Sequence, residues 1–245
     1  MTGGILDGRV ALVTGASTGF GAHFARLLHS AGAEVILAAR SISALEALAA
    51  ELGERARAIP LDVTDIKSVA TLAALPKLDI LINNAGIARA KPALDHDEDD
   101  WDAVVDTNLK GAWLVAQAAA RLMKSNGGGT IVNIASILGL RVAKAVIPYA
   151  ISKAGVIQMT KGLALELAAD GIRVNAIAPG YFHTAINDGF WETDRGKAMI
   201  ARIPQRRLGQ LEDLDGALML LASDASRYIT GAVIAVDGGH LVSTL

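Results

Sequence analysis

Thr14-Gly15-Ala16-Ser17-Thr18-Gly19-Phe20-Gly21 follows the apolar run Val10 to Thr14 and opens directly into a stretch where Phe24, Leu27, Leu28 and Ala31 recur at the spacing of one helix face. Strand, glycine-rich turn and helix in that order start a βαβ unit. Gly15 and Gly19 allow a tight backbone and close approach of a pyrophosphate, while Gly21 lets the helix lie near the strand. The helix start adds free N–H groups and a partial positive charge, with Ser17, Thr18 and Phe20 completing the turn. Gly15-Ala16-Ser17-Thr18-Gly19 also satisfies G-x-S-x-G, a nucleophile elbow, which would make the chain a serine hydrolase with His183 or His240 as base. Its place on the first strand and the additional Gly21 favour the phosphate-binding turn.

Further apolar runs at Val35 to Ala39, Ala58 to Leu61, Asp79 to Asn83, Thr130 to Ala135, Val174 to Ala178 and Val233 to Val236 predict six more strands. Several are continuous, as in a parallel sheet covered on both faces. Helical periods lie between them, as at Leu45, Leu48, Ala49 and Leu52. The alternation predicts an α/β fold: a doubly wound, parallel, seven-stranded sheet of Rossmann type with helices on both faces, in a single domain over residues 1–245. Gly127 to Gly129 reads as a loop before a strand, and the acidic Asp95 to Asp100 as a solvated helix start.

The 245 residues carry a formal net charge of −2, with 52% hydrophobic and 20% charged side chains. That composition argues for a densely packed globule and gives no electrostatic reason to expect nucleic acid or an anionic membrane as partner. The absence of cysteine removes disulfides, thiolate metal sites and a cysteine nucleophile. No signal peptide and no membrane span is legible, so a cytoplasmic protein is expected. The five histidines show no metal-binding spacing, and no metal is expected. Gly111 to Ala120 has no charge and Tyr149 to Ala168 only Lys153, Lys161 and Glu166. Helices so apolar want a second cover, and a homotetramer through helices 101–124 and 149–169 is expected.

Asn83-Asn84-Ala85-Gly86 after the fourth strand, Ser136 after the fifth, Tyr149-Ala150-Ile151-Ser152-Lys153, Pro179-Gly180 with Thr184, and Val236-Asp237-Gly238-Gly239 complete a pattern along essentially the whole chain. It resembles the short-chain dehydrogenase/reductase family, and within it the 3-oxoacyl-carrier-protein reductases and related ketoreductases. The resemblance implies hydride transfer between a nicotinamide cofactor and a carbonyl or secondary alcohol. It also implies a catalytic set of Asn108, Ser136, Tyr149 and Lys153, with Asn108 holding a water that reaches Lys153 and with Tyr149 and Lys153 also meeting the cofactor. Ala135, where many relatives have a second serine, and Phe20, where an aliphatic residue is usual, depart from the pattern.

The chemistry follows from the residues too. Tyr149 and Lys153 are four apart and share a helix face. A phenol has an unperturbed pKa of about 10, and a neighbouring ammonium is expected to lower it. The Tyr149 hydroxyl would then give a proton to the carbonyl oxygen as hydride reaches the carbon, and Ser136 would steady the developing alkoxide. A non-catalytic dinucleotide sensor should lack part of this set, and this chain keeps all of it.

An Asp or Glu ending the second strand selects NAD; here the position reads Ala38-Ala39-Arg40-Ser41. Arg40 is suited to a 2′-phosphate, so NADP(H) is favoured, with NAD(H) the alternative. By resemblance, Asp62 and Val63 contact adenine, Asn84, Ala85 and Gly86 lie beside the adenosine ribose, and Pro179, Gly180, Phe182 and Thr184 meet the nicotinamide. Tyr181 to Pro204 reads as a mobile stretch whose Phe190, Trp191 and Met199 close over substrate. Leu138, Val146 and His183 are further pocket candidates. The apolar Ile137, Leu138, Leu140, Val142 and Val146 suggest a hydrophobic ketone, while Arg141, Lys144, Arg206 and Arg207 keep a carrier-protein or coenzyme A thioester open.

Overall fold

The computed structural model describes residues 4–183 and 188–243. The strands are β1 (Val10–Thr14), β2 (Glu34–Ala39), β3 (Ala56–Pro60), β4 (Ile80–Asn83), β5 (Gly129–Ile134), β6 (Ile172–Pro179) and β7 (Val233–Val236). They form one sheet in the order β3-β2-β1-β4-β5-β6-β7, every pairing parallel. The helices are α1 (Gly19–Ser30), α2 (Ile42–Leu52), α3 (Ile66–Ala70), α4 (Glu98–Val105), α5 (Ala112–Ser125), α6 (Ile147–Leu167), α7 (Asp188–Trp191), α8 (Asp194–Ile200) and α9 (Asp215–Ala222). None of them is long and apolar enough to cross a membrane.

The period of two along a strand divides the interior into two cores. Ala11, Val13, Val35, Leu37, Ile80 and Ile82 face one side and meet Phe24 and Leu28 of α1, Leu45 of α2 and Leu218 of α9. Leu12, Ile36, Ala38 and Leu81 face the other and meet Val115, Ala119 and Met123 of α5 and Leu163 of α6. Both faces are dry, which is why the strand sequences run apolar without alternation. Phe24 is fully buried, and its truncation to alanine should cost about 3–5 kcal/mol.

Because β1 pairs with β2 on one side and β4 on the other, the winding reverses between β1 and β4. A crevice opens there beyond the carboxyl ends of the strands. Thr14 pairs with Ala38 and Asn83 with Asn133, so the strand ends carrying the signature residues are in register along one sheet edge.

The acidic stretch differs from its reading as a solvated start. Asp97 caps α4 by accepting from the Asp100 amide at 2.8 Å, but Asp100 itself is fully buried. Arg89 donates to it at 2.8 Å and Lys91 pairs with it, holding its carboxyl well below the usual range. The sequence could not show this, because both cations come from the loop after β4. Between α4 and α5 the helix widens into a π-helical turn, Asp106–Gly111, which carries Asn108.

Candidate active site

One cleft of about 810 Å³ runs along the carboxyl ends of the strands. Gly15, Ser17, Thr18, Gly19 and Phe20 line it after β1, Arg40 and Ser41 after β2, and Asp62 and Val63 after β3. Asn84, Ala85 and Gly86 follow β4, and Ser136, Tyr149, Lys153, Pro179 and Gly180 line its remaining wall.

The turn after β1 is shaped to leave room for a ligand's phosphates. Gly15 and Gly19 have φ of 65° and 56°, a left-handed backbone that favours glycine. Gly21 stands behind the turn, where a Cβ would come within 2.2 Å of the Gly15 carbonyl oxygen. This is the close helix–strand approach that the third glycine permits. Thr14, which sequence reading missed, fixes the opposite wall: its Oγ1 accepts the Asn84 and Ala85 amides at 2.9 and 3.0 Å. Asn84 returns a bond from Nδ2 to the Thr14 carbonyl at 2.9 Å. A threonine ending an apolar strand was the available signal.

At the far wall, Lys153 is 5% exposed and its Nζ donates to the Ile134 carbonyl at 2.7 Å. It lies 5.7 Å from the centre of the Tyr149 ring. Burial lowers the Lys153 ammonium to about 8. Burial also raises the Tyr149 phenol, while a hydrogen bond with Ser136 pulls it back. The expected acidification of the phenol by Lys153 is therefore not what the structure shows: desolvation penalises both charged forms. Ser136 caps the turn that follows it by accepting the Leu138 amide at 3.1 Å.

Asn108 lies beneath the cleft rather than in it. Its Oδ1 accepts the Ile87 amide and its Nδ2 donates to the Ile87 carbonyl, both at 2.8 Å, and Nδ2 also reaches Ser152 Oγ at 3.1 Å. Ser152 in turn donates to the Tyr149 carbonyl at 2.7 Å. A Cβ on Gly86 would sit 3.2 Å from Asn108 Oδ1 and 3.5 Å from Lys153 Nζ, so a larger residue there would crowd both groups.

Asp62 accepts the Thr64 amide and hydroxyl at 2.9 and 2.7 Å. Those bonds, with a smaller contribution from Arg40, keep its carboxyl below the ordinary value. Arg40 is thus close to the pocket that Asp62 and Val63 close.

Other expectations are corrected. Phe182 is 5% exposed and meets Phe20 edge-on at 5.3 Å, behind the turn rather than in the cleft. This also accounts for the aromatic Phe20, whose larger ring finds a partner there. Trp191 is buried with Ile203 and Leu208 and packs on Tyr181 at 5.6 Å, and does not line the cleft. Leu138, Val146 and His183 are also absent from its lining; Leu138 and Val146 are half-buried and His183 is exposed. Thr184 lies outside the described residues, as does the Phe190 side chain. His240 lies tilted against Tyr181 at 5.4 Å, and neither it nor His183 shares the cleft with Ser17, which removes the hydrolase arrangement. Among the described residues no group of three or more acidic or histidine side chains could hold a metal ion.

The profile of the family described as Enoyl-(Acyl carrier protein) reductase matches residues 15–240. The 3-oxoacyl-(acyl-carrier-protein) reductase FabG of Vibrio harveyi is 38% identical over 243 residues, covering 96% of this chain and 98% of its own. A gluconate 5-dehydrogenase from Burkholderia cenocepacia J2315, solved in complex with NADP and tartrate, superposes with a TM-score of 0.93 at 37% identity, over 98% of this chain and 97% of that one. A short-chain type dehydrogenase/reductase from Mycobacterium marinum superposes with a TM-score of 0.89 at 40% identity, over 96% of both chains. The chain belongs to the short-chain dehydrogenase/reductase family, and is an oxidoreductase that moves hydride between a nicotinamide dinucleotide and a carbonyl or alcohol.

Proposed function

We propose that the protein is an NADP(H)-dependent ketoreductase in which Tyr149 is the proton donor in reduction and acceptor in oxidation. One observation carries this reading: Ser136, Tyr149 and Lys153 open into the same cleft as the glycine turn and Arg40. The cradle fits a dinucleotide, since Gly15, Gly19 and Gly21 leave the turn bare and α1 starts against it. Arg40 supplies a cation where a carboxylate would reject a 2′-phosphate, and NADP bound to the Burkholderia relative supports the same preference.

The dinucleotide supplies or accepts the hydride. Tyr149, kept protonated by burial, donates its hydroxyl proton to the oxygen as negative charge grows there. Ser136 orients that oxygen and stabilises it through its hydroxyl. Lys153, with a pKa of about 8, is mostly cationic at neutral pH and favours the phenolate once the proton has left. Asn108 is a positioning residue: through Ile87 and Ser152 it fixes the loop after β4 against the start of α6. The family resemblance also gives it a water that reaches Lys153. A panel of ketones, thioesters and alcohols followed at the nicotinamide absorbance with NADP(H) and NAD(H) tests the assignment. Turnover favouring NADP(H) supports it, and turnover favouring NAD(H) would reverse the cofactor preference.

The single domain spans residues 1–245, and we infer a cytoplasmic homotetramer. Trp101 on α4, Trp113 on α5, and Ile147, Ile151 and Leu165 on α6 are all exposed in the isolated chain. Trp113, Ile147, Ile151 and Leu165 lie on the two helices singled out for their lack of charge, and with Trp101 of the acidic α4 they support subunit contacts there. Light scattering at micromolar concentration that returns a monomer would remove that part of the reading.

A further inference from the structure

Tyr181 follows Pro179-Gly180 at the carboxyl end of β6, and none of the motifs above uses it. Its phenol is near enough to Tyr149 for charge on it to oppose ionisation there. The His240 ring lies 5.4 Å from the Tyr181 ring. Arg141, in the loop between Ser136 and α6, donates from Nη1 to the His240 carbonyl at 2.5 Å. It also stands close enough to Tyr181 to favour that phenol's ionised form. Three elements distant in sequence thus converge: the Ser136 loop, the end of β6 and the C-terminal turn, with Tyr181 following directly on Gly180 of the wall that also carries Tyr149.

The chemistry of this cluster is incomplete within the chain. Arg141 is partly buried and has no carboxylate partner among the described residues. Arg202 adds a second positive charge near His240. The Asp237 carboxylate is committed to the Gly239 and Leu241 amides at 2.9 and 2.7 Å. His240 is 7% exposed, yet its Nδ1 has no hydrogen-bond partner. A partly desolvated guanidinium without a counter-ion costs free energy that an anion would recover, and the His240 Nδ1, in the tautomer that carries its proton there, would add a second donor. Arg141 has donors left beyond the one spent on His240, and their planar fork matches a carboxylate.

We propose that Arg141, Tyr181 and His240 form a subsite for the carboxylate of an oxo-acid or hydroxy-acid substrate, placing its reacting carbon at Tyr149. The inference rests on the oxidoreductase reading and adds the substrate class to it. It replaces the expectation of a plain hydrophobic ketone drawn from the apolar residues after Ser136. Those residues include Leu140 and Val142, which are 50% and 86% exposed and turn away to solvent.

The test uses the full chain, with 3-oxobutyrate against its methyl ester as substrates and 3-hydroxybutyrate against its methyl ester as calorimetric ligands, with and without NADP. The wild type is expected to prefer the acid over the ester by about tenfold or more in kcat/KM. Arg141→Met should remove that preference through KM for the acid, with the ester constants changed less than about twofold. Tyr181→Phe and His240→Asn, which keep the ring shapes or the side-chain bulk nearest the backbone, should weaken the acid severalfold and spare the ester, so a misfolded Arg141 variant leaves the subsite testable. Equal use of acid and ester, or an acid preference unchanged in all three variants, overturns the subsite while leaving ketone reduction standing. Calorimetric binding of the acid that depends on Arg141, with no turnover of any carbonyl, would sustain the subsite and sink the oxidoreductase reading.

Discussion

Lys153 Nζ donates to the Ile134 carbonyl at 2.7 Å, which pins the ammonium one helical turn after Tyr149 to the end of the strand that leads into Ser136. The bond ties α6 to the end of β5, so Tyr149 and Ser136 are held along the same cleft wall. It also leaves a cation in a nearly dry site, with its pKa lowered to about 8.

Such a cation opposes folding over a defined pH range. The unfolded lysine holds its proton up to about 10.5 and the folded one only to about 8, so the unfolded state binds more protons between those values. Stability from this group therefore rises as pH goes from about 8 toward about 10.5, and below that window the burial cost is felt in full. Lys153→Met should be more stable than wild type at pH 7 by up to about 3 kcal/mol, reduced by about 1 kcal/mol for the unpaired Ile134 carbonyl. The gain should shrink toward pH 10. Urea midpoints at the two pH values read it, and a variant less stable than wild type at pH 7 would contradict it.

Gly21→Ala brings a Cβ against the Gly15 carbonyl, a backbone atom that cannot move aside. The expected cost is about 1–3 kcal/mol of stability and a severalfold or greater loss in dinucleotide affinity. Gly216→Ala, an exposed position in α9 with nothing within 4 Å of the new methyl, should show neither loss. Thermal melts and fluorescence titration with NADPH separate the two effects.

Arg40→Asp reverses the charge at the rim of the adenosine pocket. The ratio of kcat/KM for NADPH over NADH should fall by at least about tenfold, since a charge-assisted contact is lost and a repulsive one gained. An unchanged ratio would place the 2′-phosphate away from Arg40.

The sheet was legible because its strands are dry on both faces and therefore read as unbroken apolar runs, and the crevice because three glycines mark one turn. Tyr149 and Lys153 were legible because helix geometry alone puts them on one face. The buried Asp100, the Asn108 bonds to Ile87 and the Phe20–Phe182 contact were not, since each joins groups separated by loops whose path no local pattern encodes. The direction of the Tyr149 shift was missed for a related reason: charge proximity can be inferred from spacing, but the depth of burial that opposes it cannot.

Replacing Tyr149 by phenylalanine removes one hydroxyl from the cleft wall and little else. With NADPH and a reducible ketone at saturation, kcat should fall by about 100-fold or more while NADPH affinity stays within about threefold. A variant that kept kcat within about tenfold of wild type would show that the proton comes from another group, and Tyr149 would lose its role as the general acid.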